Sequence, residues 1–471
     1  MKIEQIYTGC LAQGAYLVES DGEVAIIDPL REVEPYIEKV QKMGGKIKYI
    51  LETHFHADFV SGHLTLAEKT GAPIIYGPTA EPSFESHVAK HGEILPLGKA
   101  SIKVLHTPGH TMESTTYLLR AESGKDHAIF SGDTLFLGDV GRPDLAQKAV
   151  HMTQEELAGL LYDSLREQIM PLDNDVIVYP AHGAGSACGK NMMKETVDTL
   201  GNQKKVNYAL RADMTKEEFV KEVTEGLMPP PAYFPDNVKM NKEGYASIDQ
   251  VLSDGLRPLP PDAFELTVEA QDALVLDVRT REEFAKGFVP RSIFIGLDGD
   301  FAPWVGAMIK DTLTPIVLVT AEGQEEEAVT RLARVGFDHT MGYLEGGIAA
   351  WKAAGKEIDH VNIISSGELA SKLAASKKPK LFDVRKVSEY GSEHILDAEN
   401  MPLSTINDHL SNLPEDDDFY LHCASGYRSM IASSVLKSRG YHNLHDVEGG
   451  FDAVKEEEKI PLSEYICPTT V

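Results

Sequence analysis

The first half of the chain alternates short apolar runs with polar loops, a pattern that predicts β-strands. The runs are residues 15–18, 24–27, 48–51, 128–130 and 176–179. The last three pass directly into segments that contain His or Asp. Because an α/β scaffold carries its chemistry on the loops that follow strands, we expect functional residues in these segments.

Helix signals are present in both halves. Thr153 and Glu156 form the capping-box signature of a helix that is predicted to run to about Gln168. Nearer the C-terminal end, an apolar strand at 419–422 precedes a short loop and a helix predicted over about 430–437.

The second half contains an internal repeat. The stretch 274–279 reappears as 380–385, and 344–348 reappears as 447–451. A period of about a hundred residues is too long for a solenoid and indicates two whole domains in tandem. Each repeat alternates strands with helices, which favours a parallel sheet covered by helices.

Proline-rich stretches at 229–231 and 258–261 flank the expected first domain boundary, near residue 246. Three domains also fit a length of 471 residues at about 150 residues each. The predicted domains are residues 1–245, 246–358 and 361–465.

Composition and charge narrow the classes of partner. Hydrophobic residues make up 42% of the chain and charged residues 25%, as in ordinary globular proteins. With 45 Lys and Arg against 73 Asp and Glu, the formal net charge is -28. That field repels nucleic-acid phosphates and anionic lipid, so neither is an expected partner.

Cysteine usage indicates the compartment. The 4 cysteines lie far apart, which argues against a disulfide scaffold and favours free thiols in a reducing environment. The N-terminus lacks the apolar core of a signal peptide, and no apolar run reaches the roughly 18 residues of a membrane span. We therefore expect a cytoplasmic protein.

The strongest chemical signal is a set of His and Asp residues in loops. A lone loop histidine is more often a satisfied polar residue than a ligand. An ordered set of this kind can assemble a metal site from distant segments of the chain. Its members are His54, His56, Asp58, His110, Asp133 and His182.

This order of motifs resembles the metallo-β-lactamase superfamily over about residues 1–245, which implies an αββα sandwich. In that family the first motif is H-x-H-x-D-H, and binuclear hydrolases such as glyoxalase II use the full set to hold two metals. Phe59 stands at the last position of the motif here. Because a phenyl ring offers no lone pair, this departure points to a mononuclear site.

The departure resembles the persulfide dioxygenase branch of the family. That resemblance implies one Fe(II) per chain, held by His54, His110 and Asp133. Two imidazoles and one carboxylate leave positions open for substrate and dioxygen, although the same ligands can also hold zinc. The other members of the set would orient the ligands or bound water, or would bind a second metal: His56, Asp58 and His182.

Two further residues are candidates for substrate binding by the same resemblance. Arg142 would hold an anionic thiol cofactor, with a salt bridge to Asp144 as the alternative. Cys188 is expected near the substrate entrance, with a small buried core residue as the alternative. The thiol itself stays open between glutathione, coenzyme A and bacillithiol.

A second strong signal is Cys423, which ends an apolar strand and is followed by a short loop and a helix. Backbone N–H groups of such a loop, the helix dipole and Arg428 favour a thiolate. The stretch resembles the active loop of rhodaneses over about residues 361–460, and its length suits sulfurtransferases rather than the related phosphatases. The resemblance implies Cys423 and Arg428 as catalytic residues. Substrate would be bound by the residues between them: Ser425, Gly426 and Tyr427.

The first repeat departs from this pattern. Thr320 stands where Cys423 stands in the second repeat, and a hydroxyl cannot carry a persulfide. Glu322 and Glu325 follow it and would repel anionic sulfur species. We therefore expect two rhodanese-like doubly wound α/β domains, the first of them inactive and serving as a spacer, a docking surface or a dimer contact.

Together these resemblances predict an enzyme that oxidises a low-molecular-weight thiol persulfide with O2 to sulfite and thiol. Rhodanese transfer through a Cys423 persulfide would then form or use thiosulfate, the direction of sulfur flow staying open. A homodimer is expected. One alternative is a zinc-dependent glyoxalase II-like hydrolase with an attached sulfurtransferase. Another is a sulfur carrier or redox sensor in which the metal domain is structural.

Overall fold

The computed structural model describes residues 1–147, 151–227 and 229–467. It divides into two compact units. Unit 1 consists of Met1–Gln250, Lys310–Thr312 and Leu332–Asp338. Unit 2 consists of Val251–Ile309, Leu313–Arg331 and His339–Val471. Within the described ranges, no helix combines the length and the apolar character that a membrane span requires.

Unit 1 contains two six-stranded sheets, and the strands of each lie side by side in chain order. The first sheet comprises β1 (Lys2–Thr8), β2 (Gln13–Ser20), β3 (Glu23–Ile27), β4 (Lys46–Leu51), β5 (Ile74–Tyr76) and β6 (His87–Val88). The second comprises β7 (Ile94–Leu97), β8 (Ala100–His106), β9 (Thr115–Arg120), β10 (Asp126–Gly132), β11 (Ile177–Pro180) and β12 (Asp198–Thr199). The strands predicted from apolar runs correspond to β2, β3, β4, β10 and β11.

Helices pack on the outer faces of these sheets. They are α1 (Glu34–Lys42), α2 (His63–Thr70), α3 (Gln154–Ser164), α4 (Leu200–Val206), α5 (Lys216–Thr224) and α6 (Phe234–Glu243). The next helix, α7 (Ile248–Gly255), begins in unit 1 and ends in unit 2. Short 3₁₀ turns lie at Gly9–Leu11 and Tyr208–Leu210. The predicted capping box of Thr153 and Glu156 begins α3, and a π-helical turn at Leu165–Ile169 extends it to the predicted length.

The side chains of β2 alternate between two cores, as the twofold period of a strand requires. Tyr16 and Val18 pack with Val104 and Phe130 of the second sheet, so one core lies between the sheets. Leu17 points the other way and packs in a separate core that includes side chains of α1 and α2. This arrangement is the αββα sandwich that the sequence predicted.

Unit 2 contains two five-stranded sheets in which every described strand pairing is parallel. The first sheet comprises β13 (Pro258–Leu259), β14 (Leu274–Asp277), β15 (Ile293–Phe294), β16 (Ile316–Val319) and β17 (Thr340–Leu344), in the order β13-β17-β16-β14-β15. The second comprises β18 (Asn362–Ile364), β19 (Lys380–Asp383), β20 (Glu399–Asn400), β21 (Phe419–His422) and β22 (Leu444–Val447), in the order β18-β22-β21-β19-β20. The two orders are equivalent, which confirms the internal repeat.

The helices of the repeats are α8 (Pro261–Gln271), α9 (Arg281–Lys286), α10 (Phe301–Met308), α11 (Glu325–Arg334), α12 (Gly347–Ala353), α13 (Ser366–Leu373), α14 (Val387–Ser392), α15 (Tyr427–Ser438) and α16 (Gly450–Lys455). A 3₁₀ segment lies at Leu403–Asn412. Helix α15 begins before the predicted start at about Met430, so its N-terminal turn lies directly after the Cys423 loop. The limits of the three predicted domains stay predictions.

Candidate metal centre and sulfur-transfer loop

The six His and Asp residues singled out in the sequence meet at the ends of strands in unit 1, and all are buried. His54 follows β4, Asp133 follows β10, and His182 follows β11. The potential ligand atoms form two groups, and within each group they lie within 4.8 Å of one another. The first group is His54, His110 and Asp133, and the second is His56, Asp58 and His182.

Asp133 lies between the two groups. Its Oδ2 is 3.3 Å from His110 Nε2 and 3.9 Å from His54 Nε2, and its Oδ1 is 3.5 Å from His182 Nε2. Neither carboxylate oxygen has a hydrogen-bond partner among the described residues. A buried carboxylate without such partners is costly unless a cation offsets its charge, so the residues fit a metal ion.

Hydrogen bonds fix the orientation of the His54 ring. The Thr53 hydroxyl donates to Asp28 Oδ2 at 2.9 Å and lies 3.0 Å from His54 Nδ1. Because the hydroxyl proton is used by Asp28, Nδ1 must be the donor to Thr53, which leaves the lone pair of Nε2 facing Asp133. Burial lowers the pKa of His54 well below its usual value, so the ring is in the neutral form that binds metals.

The His110 ring is oriented by a backbone group. Its Nδ1 lies 2.8 Å from the carbonyl oxygen of Arg142, which can only accept, so Nε2 is again the free ligand atom. The chain passes close to the ligands at Gly141, where a Cβ atom would overlap the Asp133 carbonyl and crowd His110 Nδ1. Only glycine permits that approach.

The side chain of His56 faces two acidic residues outside the first group. Its Nε2 lies 3.0 Å from Asp28 Oδ1 and 3.7 Å from Glu52 Oε2. The ring of Phe59 lies beside the imidazole. The loop that carries both rings is held from α6, since Asn241 Nδ2 donates to the carbonyls of His56 and Phe59 at 2.8 Å each.

Arg142 forms the salt bridge that was the alternative to cofactor binding. Its Nε and Nη2 each donate to the Asp144 carboxylate at 2.7 Å. Its Nη1 donates to the carbonyl of Ala187 at 3.2 Å, and the residue is 5% exposed. Its clearest contribution to the site is the main-chain carbonyl that orients His110.

Cys188 lies beside the metal-binding residues. Its sulfur belongs to a third group of potential ligand atoms, with Asp133 and His182, that also spans no more than 4.8 Å. Burial and the charges of Asp58 and Asp133 raise the pKa of this thiol well above its usual value. Cys188 is therefore a neutral thiol next to the candidate centre.

In unit 2, the Cys423 loop wraps the sulfur as predicted. The N–H of Gly426 donates to Cys423 Sγ at 3.1 Å, and Cys423 is buried. Gly426 has a φ of 104°, and α15 begins at the next residue. The positive end of the helix dipole therefore lies next to the thiol.

The other predicted loop residues make defined contacts. Both terminal nitrogens of Arg428 donate to Glu389, at 2.6 and 2.8 Å. Burial opposes ionisation of Glu389, but the hydrogen bonds and charge of Arg428 prevail and lower its pKa. The carbonyl of Ser425 and the hydroxyl of Tyr427 both bond to residues of the first repeat.

Comparisons with known proteins give the family. The model of the metallo-beta-lactamase superfamily matches residues 8–182, and that of the rhodanese-like domain matches residues 260–354 and 365–457. The chain belongs to the metallo-β-lactamase superfamily. It joins one metallo-β-lactamase domain to two rhodanese-like domains, as the sequence predicted.

Relatives of this metallo-β-lactamase domain include two kinds of enzyme. A probable hydroxyacylglutathione hydrolase of Schizosaccharomyces pombe is 33% identical over 184 residues, which are 38% of this chain and 66% of that protein. The human mitochondrial persulfide dioxygenase ETHE1 is 28% identical over 212 residues, which are 44% of this chain and 74% of that protein. A metallo-β-lactamase structure from Staphylococcus aureus has 29% identity to this chain and a TM-score of 0.63. The match covers 73% of this chain and 99% of the chain in that structure.

The two rhodanese-like repeats differ at the reactive position. Thr320 directly follows β16, as Cys423 directly follows β21, and its hydroxyl donates to Glu325 at 3.3 Å. A hydroxyl and a carboxylate thus occupy the place of the thiol and its loop. Sequence reasoning identified this difference but missed Asp28 and Asn241 of unit 1. Asp28 could have been found, because it also follows a strand directly.

Proposed function

We propose that the chain oxidises a low-molecular-weight thiol persulfide with O2 to sulfite and thiol at His54, His110 and Asp133, and transfers sulfur through Cys423. The observation that carries the proposal is Phe59, whose ring lies against His56 at the position where the binuclear family motif has a histidine. His54, His110 and Asp133 remain as a buried group of two imidazoles and one carboxylate. Such a group leaves positions open on a bound ion. The second supporting feature is a sulfur-transfer loop in the same chain.

The overall reaction of the first site is RSSH + O2 + H2O → RSH + SO₃²⁻ + 2H⁺. Bound Fe(II) supplies the redox chemistry that zinc lacks. The chain's own residues hold and orient the ligands: Thr53 and the Arg142 carbonyl fix the two imidazoles, and Asp133 balances the ion's charge.

The second site would use the sulfite. The Cys423 thiolate attacks the outer sulfur of a thiol persulfide, so the S–S bond of the donor breaks and the donor thiol leaves as thiolate. Sulfite then attacks the outer sulfur of the Cys423 persulfide, which gives thiosulfate and the free Cys423 thiolate. Linking both sites in one chain raises the local concentration of sulfite at the second site. The N–H of Gly426 and the N-terminus of α15 would stabilise the Cys423 thiolate in both steps.

Metal content and oxygen uptake test the proposal. The full chain is purified anaerobically with Fe(II), its iron and zinc are quantified, and oxygen consumption is recorded with glutathione persulfide. We expect one iron per chain and one sulfite formed per O2 consumed. A zinc protein that stays inactive after exchange into iron would overturn the dioxygenase.

A zinc-dependent hydrolase is the second candidate, and one observation favours it. His56, Asp58 and His182 still form a compact group next to Asp133, so a second metal has potential ligands despite Phe59. Hydrolysis of S-lactoylglutathione by the zinc-loaded chain, with no oxygen uptake by the iron-loaded chain, would support this candidate over the first.

A further inference from the structure

The peptide unit between Ser425 and Gly426 is held from both sides. Its N–H donates to Cys423 Sγ at 3.1 Å, and its carbonyl accepts a hydrogen bond of 2.9 Å from Arg281 Nη1. In a planar trans peptide the C=O and N–H bonds point in opposite directions. The bond to the carbonyl therefore fixes the direction of the N–H, and rotation of this peptide would bring a carbonyl towards the sulfur.

Arg281 comes from the repeat that has no cysteine. It is the first residue of α9, its side chain is 20% exposed, and both Arg281 and the Cys423 loop belong to unit 2. The fit at the loop is close, since a Cβ atom on Gly426 would overlap Arg281 Nη1. Glycine is therefore favoured at position 426 for two reasons: its φ is positive, and a side chain would occupy the space of the Arg281 guanidinium.

A second contact holds the other side of the same loop. The hydroxyl of Tyr427 donates to the carbonyl of Gly296 at 2.7 Å, and its ring packs against Phe294. Gly299 has no side chain, and a Cβ atom there would overlap the Tyr427 ring. The first turn of α15 is therefore seated on the first repeat next to the reactive cysteine.

We propose that Arg281 is a positioning residue for sulfur transfer, and that the cysteine-free repeat is retained as the platform of the Cys423 loop. By holding the carbonyl of Ser425, Arg281 keeps the N–H of Gly426 on the sulfur, which stabilises the thiolate as nucleophile and as leaving group. Its positive charge also attracts anionic sulfur donors. The inference rests on the proposed role of Cys423.

Alkylation of Cys423 in the full chain tests the inference directly. Iodoacetamide reacts with thiolates, and peptide mass spectrometry separates Cys423 from the other cysteines. Rates are recorded against pH for Arg281→Ala, Arg281→Gln and Arg281→Lys. The matched control is Lys286→Ala, which removes an exposed cation from the same helix.

Arg281→Ala should shift the pH profile of alkylation upward and slow the reaction about tenfold on its acidic side, the change expected for one pH unit. Its kcat with thiosulfate and cyanide should fall as well, and its KM for thiosulfate should rise. Arg281→Gln keeps a donor and should recover part of the kcat, while its KM for thiosulfate stays raised. Arg281→Lys should recover both, and Lys286→Ala should match the wild type.

An Arg281→Ala protein with the wild-type alkylation profile and kcat would overturn the inference. A uniform loss in all three Arg281 variants, accompanied by a lower unfolding midpoint, would also overturn it, because it would show a purely structural role. Failure of the proposed function is distinguishable. A wild type that transfers no sulfur, although its alkylation depends on Arg281, would remove the sulfurtransferase and leave the loop assignment intact.

Discussion

The ring of Phe59 lies against the imidazole of His56, with ring centroids 4.3 Å apart and planes inclined by 34°. In binuclear relatives a histidine occupies the place of Phe59 in the motif. Here an apolar ring fills that place, and His56 Nε2 lies 3.0 Å from Asp28 instead. The contact is the basis of the proposed single metal, since the rest of the ligand set is kept.

Replacing Phe59 by histidine should therefore restore the second metal. Phe59→His completes the motif and places a new imidazole beside His56, so we expect metal content to rise from one towards two per chain. Elemental analysis after dialysis against zinc or iron measures it. Phe55→His adds an imidazole in the same loop, but Phe55 packs against Tyr76, and its metal content should not change. Two metals in the wild-type protein would contradict this account.

Loss of the Thr53 hydroxyl should weaken the metal site without removing a ligand. Thr53→Val leaves His54 Nδ1 without its acceptor and Asp28 without one of its donors. Changes of this kind cost about 10- to 100-fold in metal affinity. Competition with a chelator measures the affinity. Thr70→Val is the control, since the Thr70 hydroxyl bonds to main-chain groups of Leu66 and Ala72 and to none of the candidate ligands.

A cysteine introduced into the first repeat should not restore sulfur transfer. Cys423→Ser should abolish transfer between thiosulfate and cyanide while oxygen uptake persists. Thr320→Cys added to Cys423→Ser should remain inactive, because the new thiol would face the Glu325 carboxylate, which disfavours a thiolate. Substantial transfer by the double variant would show that the missing thiol alone silences the first repeat.

The positions of the candidate metal-binding residues could be predicted because they follow from local sequence. His54, Asp133 and His182 each follow a strand within three residues, so strand prediction was enough to place them on one edge of the scaffold. The residues that orient them could not be predicted in this way. Asn241 reaches the His56 loop from a distant helix, and the acceptor for His110 is a main-chain carbonyl. A carbonyl is present at every residue and carries no sequence signal.

For the sulfur-transfer loop too, the residues of the loop could be predicted from local sequence, whereas the residue that contacts it from elsewhere could not. Cys423 and Gly426 stand at a recognisable spacing after an apolar strand, and the loop wraps the sulfur as predicted. Arg281 precedes the loop by 144 positions, and only tertiary packing brings it to Ser425. For Arg142, the sequence left two alternatives open. Its sequence context allowed both cofactor binding and a bridge to Asp144. The structure shows the bridge, and cofactor binding stays a prediction.

Asp446 in β22 should make the stability of unit 2 depend on pH. This carboxyl is fully buried, and burial raises its pKa from 3.8 to about 7, against the opposing effects of the nearby Ser429 hydroxyl and the charge of Arg281. A pKa that is higher in the folded state makes stability greatest below about pH 4 and lowers it as pH rises through 7. At about 1.4 kcal/mol per pH unit, the loss amounts to about 4 kcal/mol at most.

The neutral variant Asp446→Asn should remove this pH dependence. Between pH 5 and pH 8, the unfolding free energy of the wild type should fall, whereas that of Asp446→Asn should stay nearly constant over the same interval. Urea unfolding followed by tryptophan fluorescence reports on the relevant part of the chain, because Trp304 and Trp351, its two tryptophans, both lie in unit 2. Asp452→Asn, which removes an exposed carboxylate in α16, should keep the wild-type slope. Parallel pH profiles for the wild type and Asp446→Asn would show that the buried carboxyl is ionised in the folded protein throughout this range.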